Sequence, residues 1–390
     1  MNTDYGKFMR LINCSLNQEK FTEEIILEDV KTIRANQLVG LTYKTMESSI
    51  ISAEALKILK NDYYQYIRTD ELQKQMIKEL KTLFTEEKID FVFLKGSFIK
   101  QLYPESYMRA MGDIDILVKN HDMERIHQVL EDNGFNNWTN STSHDCFIKD
   151  RINVEIHPML DSDIEGEYKQ LFLDPWHYTV KMSESEYLLA REYNFFYQLY
   201  HMIKHLYRSG VGFRTIIDLG LLLKKEGHLF DQEKFFAIYE EFPKKNFVRN
   251  IIEVINDSFK AEYFKDYGLV GTMTKVEKDE FIEFLFFSGT HGYGEDYNIF
   301  IGDMAKKNKK RNNVLFTKIK FLFSRTFLPY KQMKGMYHYL NKCPLLLPFA
   351  WLERFFKLLF KKSSRNKLKN LNVEKAEIIK VEKMFDKLGI

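Results

Sequence analysis

The chain of 390 residues is 45% apolar and 29% charged, the composition of a soluble globular protein of about two compact units, which excludes a disordered or fibrous chain. Its net charge of +3 conceals a division: residues 304–370 hold 18 Lys and Arg against Glu353 alone, a local +17 that leaves −14 on the rest. Three dispersed cysteines (Cys14, Cys146 and Cys343) suit neither a disulfide framework nor a zinc module. With no leader-like start and no uncharged apolar run of about 20 residues, the expectation is a cytoplasmic protein in a reducing setting.

Residues 1–88 read as a helical N-terminal region. The clearest stretch is Ser52–Glu87, where Leu56, Leu59, Tyr63, Tyr66, Leu72, Met76, Leu80 and Leu83 recur at threes and fours. Ile89–Leu94 is a short apolar β-type run ending at Lys95-Gly96-Ser97. A short helical piece follows over Phe98–Tyr103, then an irregular loop over Pro104–Gly112. Asp113–Val118 alternates as a strand, and His121–Asn133 has helical spacing closed by Gly134. Asp145–Lys149 and Ile152–His157 are strands about the turn Asp150-Arg151. From Ser183 onward the periodicity predicts helices over Glu186–Tyr207, Arg214–Lys225, Gln232–Glu241, Asn246–Phe259 and Lys275–Phe287. The expected fold class is α+β: a small mixed sheet with flanking helices over residues 89–182, a helical C-terminal domain over 183–300, and a basic, aromatic-rich helical tail over 301–390.

Asp113 and Asp115 lie two apart on a strand, so both carboxylates leave one face while Ile114 and Ile116 enter a core on the other. Asp is disfavoured in strands, and neighbouring like charges repel. A divalent cation resolves the repulsion: Mg2+ (or Mn2+) takes carboxylate oxygens together with substrate phosphates. Alone, Asp-x-Asp is common and equally fits a frayed strand end facing water. Gly96-Ser97 adds context, because Gly lets a backbone approach a phosphate and Ser97 can bind anionic oxygens. Lys95 adds charge there, or is a solvated turn residue. Glu155 is an isolated acid on a later strand, with His157 on its face. It offers the third carboxylate of a two-metal site and a base for a hydroxyl; the bland alternative is an ion pair with Arg151.

Taken together, Leu94-Lys-Gly-Ser97, Tyr103-Pro104, Arg109-Ala-Met-Gly-Asp-Ile-Asp-Ile-Leu-Val118, Gly134-Phe135 and Val154-Glu-Ile-His157 resemble the uncharacterised nucleotidyltransferase family of bacteria, a branch of the DNA polymerase beta superfamily. The resemblance spans residues 50–225. The spacer before Asp-x-Asp is long for the superfamily but carries the Tyr-Pro…Arg insertion of this branch, and Glu replaces the commoner third Asp. The resemblance implies a small polymerase-beta-like sheet and a metal-dependent transfer of a nucleotidyl group from an NTP, such as ATP, to a hydroxyl acceptor, releasing pyrophosphate. Asp113, Asp115 and Glu155 would ligate the metals, with Glu155 as base. Lys95, Gly96 and Ser97 would hold the triphosphate. Arg109 would reach the phosphates or pin its loop by a salt bridge. Arg214, at i, i+4 to Asp218, would touch phosphate or base, although on the residues alone it is an ordinary helix pair. The acceptor stays open among a small molecule, a sugar, a protein side chain and an RNA end. The alternatives are a catalytically silent nucleotide-binding regulator, or a membrane-associated scaffold in a surface-polysaccharide or peptide-modification pathway.

His201 and His205 share a helix face at a spacing that zinc can use, but no Glu follows His201 in the metalloprotease pattern, so core or hydrogen-bonding roles are expected, with a substrate pocket as the alternative. The tail contains Pro348–Lys362, thickly apolar with flanking Lys. It is expected to lie on an anionic membrane surface through residues 304–370, at the inner face of the membrane, with nucleic-acid binding or plain packing on the body as the competing uses.

Overall fold

A computed structural model describes residues 4–140, 144–161, 164, 166–294, 297–308, 323, 327–360 and 373–390. Four helices open the chain: α1 (Tyr5–Asn17), α2 (Leu27–Ala35), α3 (Val39–Met46) and the 34-residue α4 (Ala53–Glu86). A parallel pair, β1 (Glu24–Ile25) and β2 (Ile50–Ile51), joins the turns between them. The Ser52 hydroxyl accepts from the Ala55 N–H and starts α4 at the predicted point. This helix serves two cores. Ala55, Leu59 and Tyr63 pack among helices, whereas Met76, Leu80 and Phe84 pack on the sheet.

The sheet is built from β3 (Phe91–Phe93), β4 (Asp113–Val118), β5 (Asn136–Asn140), β6 (Asp145–Lys149), β7 (Ile152–His157), β8 (Thr179–Lys181) and β9 (Glu186–Leu189), in the order β5-β6-β7-β4-β3-β9-β8. Strands β4 and β7 run parallel at its centre, and β3 is antiparallel to β4. Phe91, Phe93, Ile114, Ile116, Val154 and Ile156 bury one face under α4 and α6 (Met123–Asp132). Each such side chain contributes about 1.5–3 kcal/mol. A one-residue slip of β4 or β7 would push acids into this core, so burial pins the register.

The helical half comprises α7 (Lys169–Phe172), α8 (Arg191–Arg208), α9 (Arg214–Glu226), α10 (Gln232–Glu241), α11 (Lys245–Phe259), α12 (Lys275–Ser288) and α13 (Ile301–Asn308). α8 is its axis, with Tyr193, Phe195, Phe196, Tyr197 and Leu199 at most 1% exposed. The helix Lys375–Leu388 returns to pack on α11 and α13. The α+β expectation holds, and the helices predicted at α9 to α12 fall within a residue or so of their observed ends.

Two readings are corrected. Glu186–Leu189, expected as the first turn of a helix, is strand β9, parallel to β3 through Phe91 and Val92; the helix begins only at Arg191. The short helix α5 starts at Lys95 rather than Phe98 and spans Lys95–Ile99. Strands β5 and β8 carry no alternation that would announce them.

In the tail, the helices Tyr330–Met336 and Leu347–Phe360 enclose a small core of Met333, Tyr337, Leu340 and Ala350, edged by Leu347 and Trp351. The opposite side of Leu347–Phe360 is more exposed: Phe349 by 65%, Leu352 by 54% and Phe356 by 53%. Residues 309–322, 324–326 and 361–370 of the basic stretch lie outside the described residues. Among described residues no helix is long and apolar enough to cross a membrane.

Candidate active site

Parallel pairing of β4 with β7 sets Asp115 opposite Glu155, and strand alternation adds Asp113 and His157 to the same face. Ligand oxygens of Asp113, Asp115 and Glu155 all lie within 4.8 Å of one another. Lys95 Nζ donates to Asp115 Oδ1 at 2.7 Å, and His157 Nε2 lies 2.9 Å from the same oxygen and 3.3 Å from Glu155 Oε2.

These contacts divide the acids. Burial opposes the Asp115 charge, but Lys95 and His157 outweigh it and hold the carboxyl well below the usual range. Burial also opposes ionisation of Glu155, and His157 again prevails, keeping it ionised. Asp113 has the Lys95 charge in its favour, but it is outweighed. Burial, then the charges of Asp115 and Glu155, push it up to about 7. Three acids thus share too little positive charge, a deficit that a divalent cation at their oxygens would remove.

Lys95 reaches Asp115 from a left-handed backbone, φ 45°. Gly96 follows in close quarters: a Cβ there would meet Arg109 Nη1 and Met111 Sδ at 2.9 Å, so a side chain would have to push one of them aside. The Ser97 hydroxyl is buried and directed at Met111 Sδ, 3.6 Å away, while Lys95 and Gly96 line the open space beside the acids.

Arg109 places its guanidinium on Asp218 of α9, with Nε 2.9 Å from Oδ1 and Nη2 2.8 Å from Oδ2. The Tyr103 hydroxyl donates to the same carboxylate at 2.8 Å. The expected pairing of Arg214 with Asp218 does not form, because Arg109 occupies the carboxylate. Arg214 instead donates to the Ala110 carbonyl at 3.0 Å and to the Gln37 side-chain oxygen, both neutral. Burial and the Arg109 charge depress its pKa. It lines the cavity without an ion-pair partner among the described residues.

That cavity, about 420 Å³, has the acids on one wall and α8 on the other, where Tyr197, His201 and His205 face them. Its size is that of small-molecule sites. His201 and His205 touch through their Nε2 atoms at 3.1 Å, and His205 Nδ1 meets Ser209 Oγ at 3.0 Å. Burial holds His201 well below its usual range. With the charge of His291, it takes His205 down to about 3.

Two further histidines line the cavity without standing out in the residue pattern, His144 and His291. His144 follows a polar Asn-Ser-Thr-Ser run without pattern, yet a signal existed. Continuing the hairpin register about Asp150-Arg151, in which Asp145 faces Ile156, sets residue 144 opposite 157. The two rings stand 5.0 Å apart. His291 has no such signal, as it sits in a left-handed turn after α12.

The model of a family described as uncharacterised nucleotidyltransferase matches residues 28–260, more than half of the chain. The chain belongs to this family. Its matched span begins in α2 and ends just past α11, so in this family member the sheet, the acids and the α8–α9 wall all fall inside it. No curated protein and no solved structure matches the chain. Membership supports a nucleotidyl transfer in general.

Proposed function

We propose that the chain moves a nucleoside monophosphate from an NTP to an acceptor hydroxyl and releases pyrophosphate. The observation that carries this reading is the convergence of Asp113, Asp115 and Glu155 on one wall of the cavity. Their oxygen donors fit Mg2+ or Mn2+, which when bound would neutralise phosphate charge and favour ionisation of the acceptor hydroxyl. Glu155, kept ionised by His157, takes the acceptor proton. Lys95 and Arg214 bring positive charge to the triphosphate from two sides, and Gly96 leaves it room. In this reading Arg109 positions the loop before Asp113 instead of binding phosphate. The Ser97 hydroxyl reaches a phosphate only after Met111 moves aside.

The test is pyrophosphate release from each NTP with Mg2+ or Mn2+ and a panel of sugars, hydroxyl-bearing peptides and RNA ends. Asp113→Ala and Asp115→Ala are expected to lower turnover at least about a hundredfold, the scale on which transition-state charge stabilisation is lost. Wild-type release by both variants would discard the assignment. Nucleotide binding without turnover in the wild type would favour the silent regulator.

We also propose that the tail docks on an anionic membrane surface. The partly exposed Phe349, Leu352 and Phe356 stripe is supported by the +17 charge of residues 304–370. Apolar insertion and attraction to lipid headgroups act together in such a segment. Duplex nucleic acid, held through its phosphates, would use the charge but leave the aromatic stripe in water, and is the less favoured partner.

A further inference from the structure

We infer that the three acids share their face of the sheet with a second, nitrogen-containing cation site, formed by His144, Glu155 and His157, which takes a transition-metal ion of the Mn2+ to Zn2+ series. The inference rests on the metal-dependent reading above and extends it to a second, chemically different position.

The site follows from strand register. On the polar face of the sheet, Glu155 is flanked by Asp115 on β4, and His157 stands two residues along β7. The antiparallel β6 brings His144 up to His157 from the other side. His144, Glu155 and His157 each offer one ligand atom, all within 4.8 Å of one another. Glu155 Oε1 lies 3.6 Å from His144 Nε2, and Glu155 Oε2 lies 3.3 Å from His157 Nε2. Two donors bound at about 2.1 Å to one tetrahedral cation stand about 3.4 Å apart; Glu155 Oε1 and His144 Nε2 are near that spacing, and the ligand atoms of all three residues lie within 4.8 Å of one another.

The donor sets of the two positions differ. Asp113, Asp115 and Glu155 present oxygen alone, the ligand of Mg2+. His144 and His157 add two imidazole nitrogens, which favour later first-row ions over Mg2+. Glu155 belongs to both groups, and giving Oε1 to the ion beside His144 leaves Oε2 to take the acceptor proton. Mg2+ arriving with a nucleotide and a resident transition-metal ion would therefore not compete for one set of donors.

Co2+ serves as the probe, because its visible absorption reports nitrogen ligation. The full-length protein is titrated with Co2+ in excess Mg2+, and retained cobalt is counted after dialysis. Wild type is expected to keep one Co2+ with a ligand-field band. His144→Ala, a change at a partly exposed position, is expected to weaken retention at least tenfold. Asp113→Ala is expected to keep the ion. Displacement of Co2+ from wild type by Mg2+, or equal retention by His144→Ala, would overturn the site. Failure of the transfer reading is distinguishable: wild-type pyrophosphate release by Asp113→Ala would remove that reading and leave cobalt retention unaffected.

Discussion

Arg109 and Asp218 lie 109 residues apart in sequence and meet side by side, guanidinium against carboxylate, at 2.8 and 2.9 Å. Both side chains are nearly buried. The pair fastens the loop that ends at Asp113 to the helical half of the molecule, so the position of the acids depends on α9 as well as on their own strand. Asp218→Ala would leave the Arg109 charge buried and unpaired, and a loss of about 3–5 kcal/mol is expected. Urea unfolding of Asp218→Ala against wild type measures it; a difference under about 1 kcal/mol would show that the pair does not hold the loop.

Asn36 makes a similar junction without charge. Its side chain donates to the Phe286 carbonyl at 2.9 Å and accepts from the Phe213 N–H at 3.0 Å, and it is wholly buried. Phe213 directly precedes Arg214 and stacks on Phe286 at 4.5 Å. Asn36→Ala would strand one donor and one acceptor. At about 1–3 kcal/mol for each unsatisfied group, a destabilisation of about 2–6 kcal/mol follows, checked by the unfolding midpoint. An unchanged midpoint would mean that the N-terminal helices are not fastened to α9 and α12 through this residue.

These two junctions show why the site was only partly legible in the residue pattern. Asp113, Asp115 and Glu155 were visible because each interrupts an apolar strand at period two, and alternation alone assigns their common face. Arg109 and Arg214 were visible as charges, but their partners were not. Which of two arginines takes Asp218 depends on a contact between a loop and a helix that local spacing does not encode. Strand β9 escaped for the same reason. Its Glu-Tyr-Leu-Leu run merges with the helical period of α8, and only pairing with Phe91 and Val92, far back in the chain, makes it a strand. His144 has neither an apolar neighbour nor a period to mark it.

The histidines opposite the acids make stability depend on pH. In the unfolded chain an imidazole takes up its proton near pH 6.5, whereas burial and nearby charge hold His205 to about 3 and His291 to about 4 in the fold. Between those values the unfolded chain binds more protons, so this contribution destabilises the fold as pH falls below about 6.5, by about 1.4 kcal/mol per unit for each histidine. Burial of Asp113 and the partners of His157 raise their pKa values and act in the opposite sense, so the comparison must isolate one group. His205→Gln keeps hydrogen-bonding capacity and removes the titration. Its loss of stability between about pH 7.5 and about pH 5.5 is expected to be smaller than that of wild type by about 1.4 kcal/mol. Parallel pH profiles for the two proteins would show that His205 titrates normally.

The tail separates from the site in both chemistry and test. Phe349, Leu352 and Phe356 recur at threes and fours on the side of their helix turned away from Trp351 and Ala350, so the same helix is packed on one flank and apolar and half or more exposed on the other. Burying two phenylalanines in a bilayer interface supplies about 3–6 kcal/mol, and each basic residue near an anionic surface adds about 1 kcal/mol. The full chain is therefore expected to sediment with phosphatidylserine-containing vesicles, to bind pure phosphatidylcholine poorly, and to be released as salt screens the charges. Phe349→Glu combined with Phe356→Glu changes only exposed positions, and is expected to reduce partitioning at least a hundredfold with the unfolding midpoint unchanged. Sedimentation of that double variant like wild type, or equal binding to neutral and anionic vesicles, would leave the stripe without a lipid role. A wild-type dimer that the double variant loses, with no vesicle binding by either, would assign the face to a second copy of the chain.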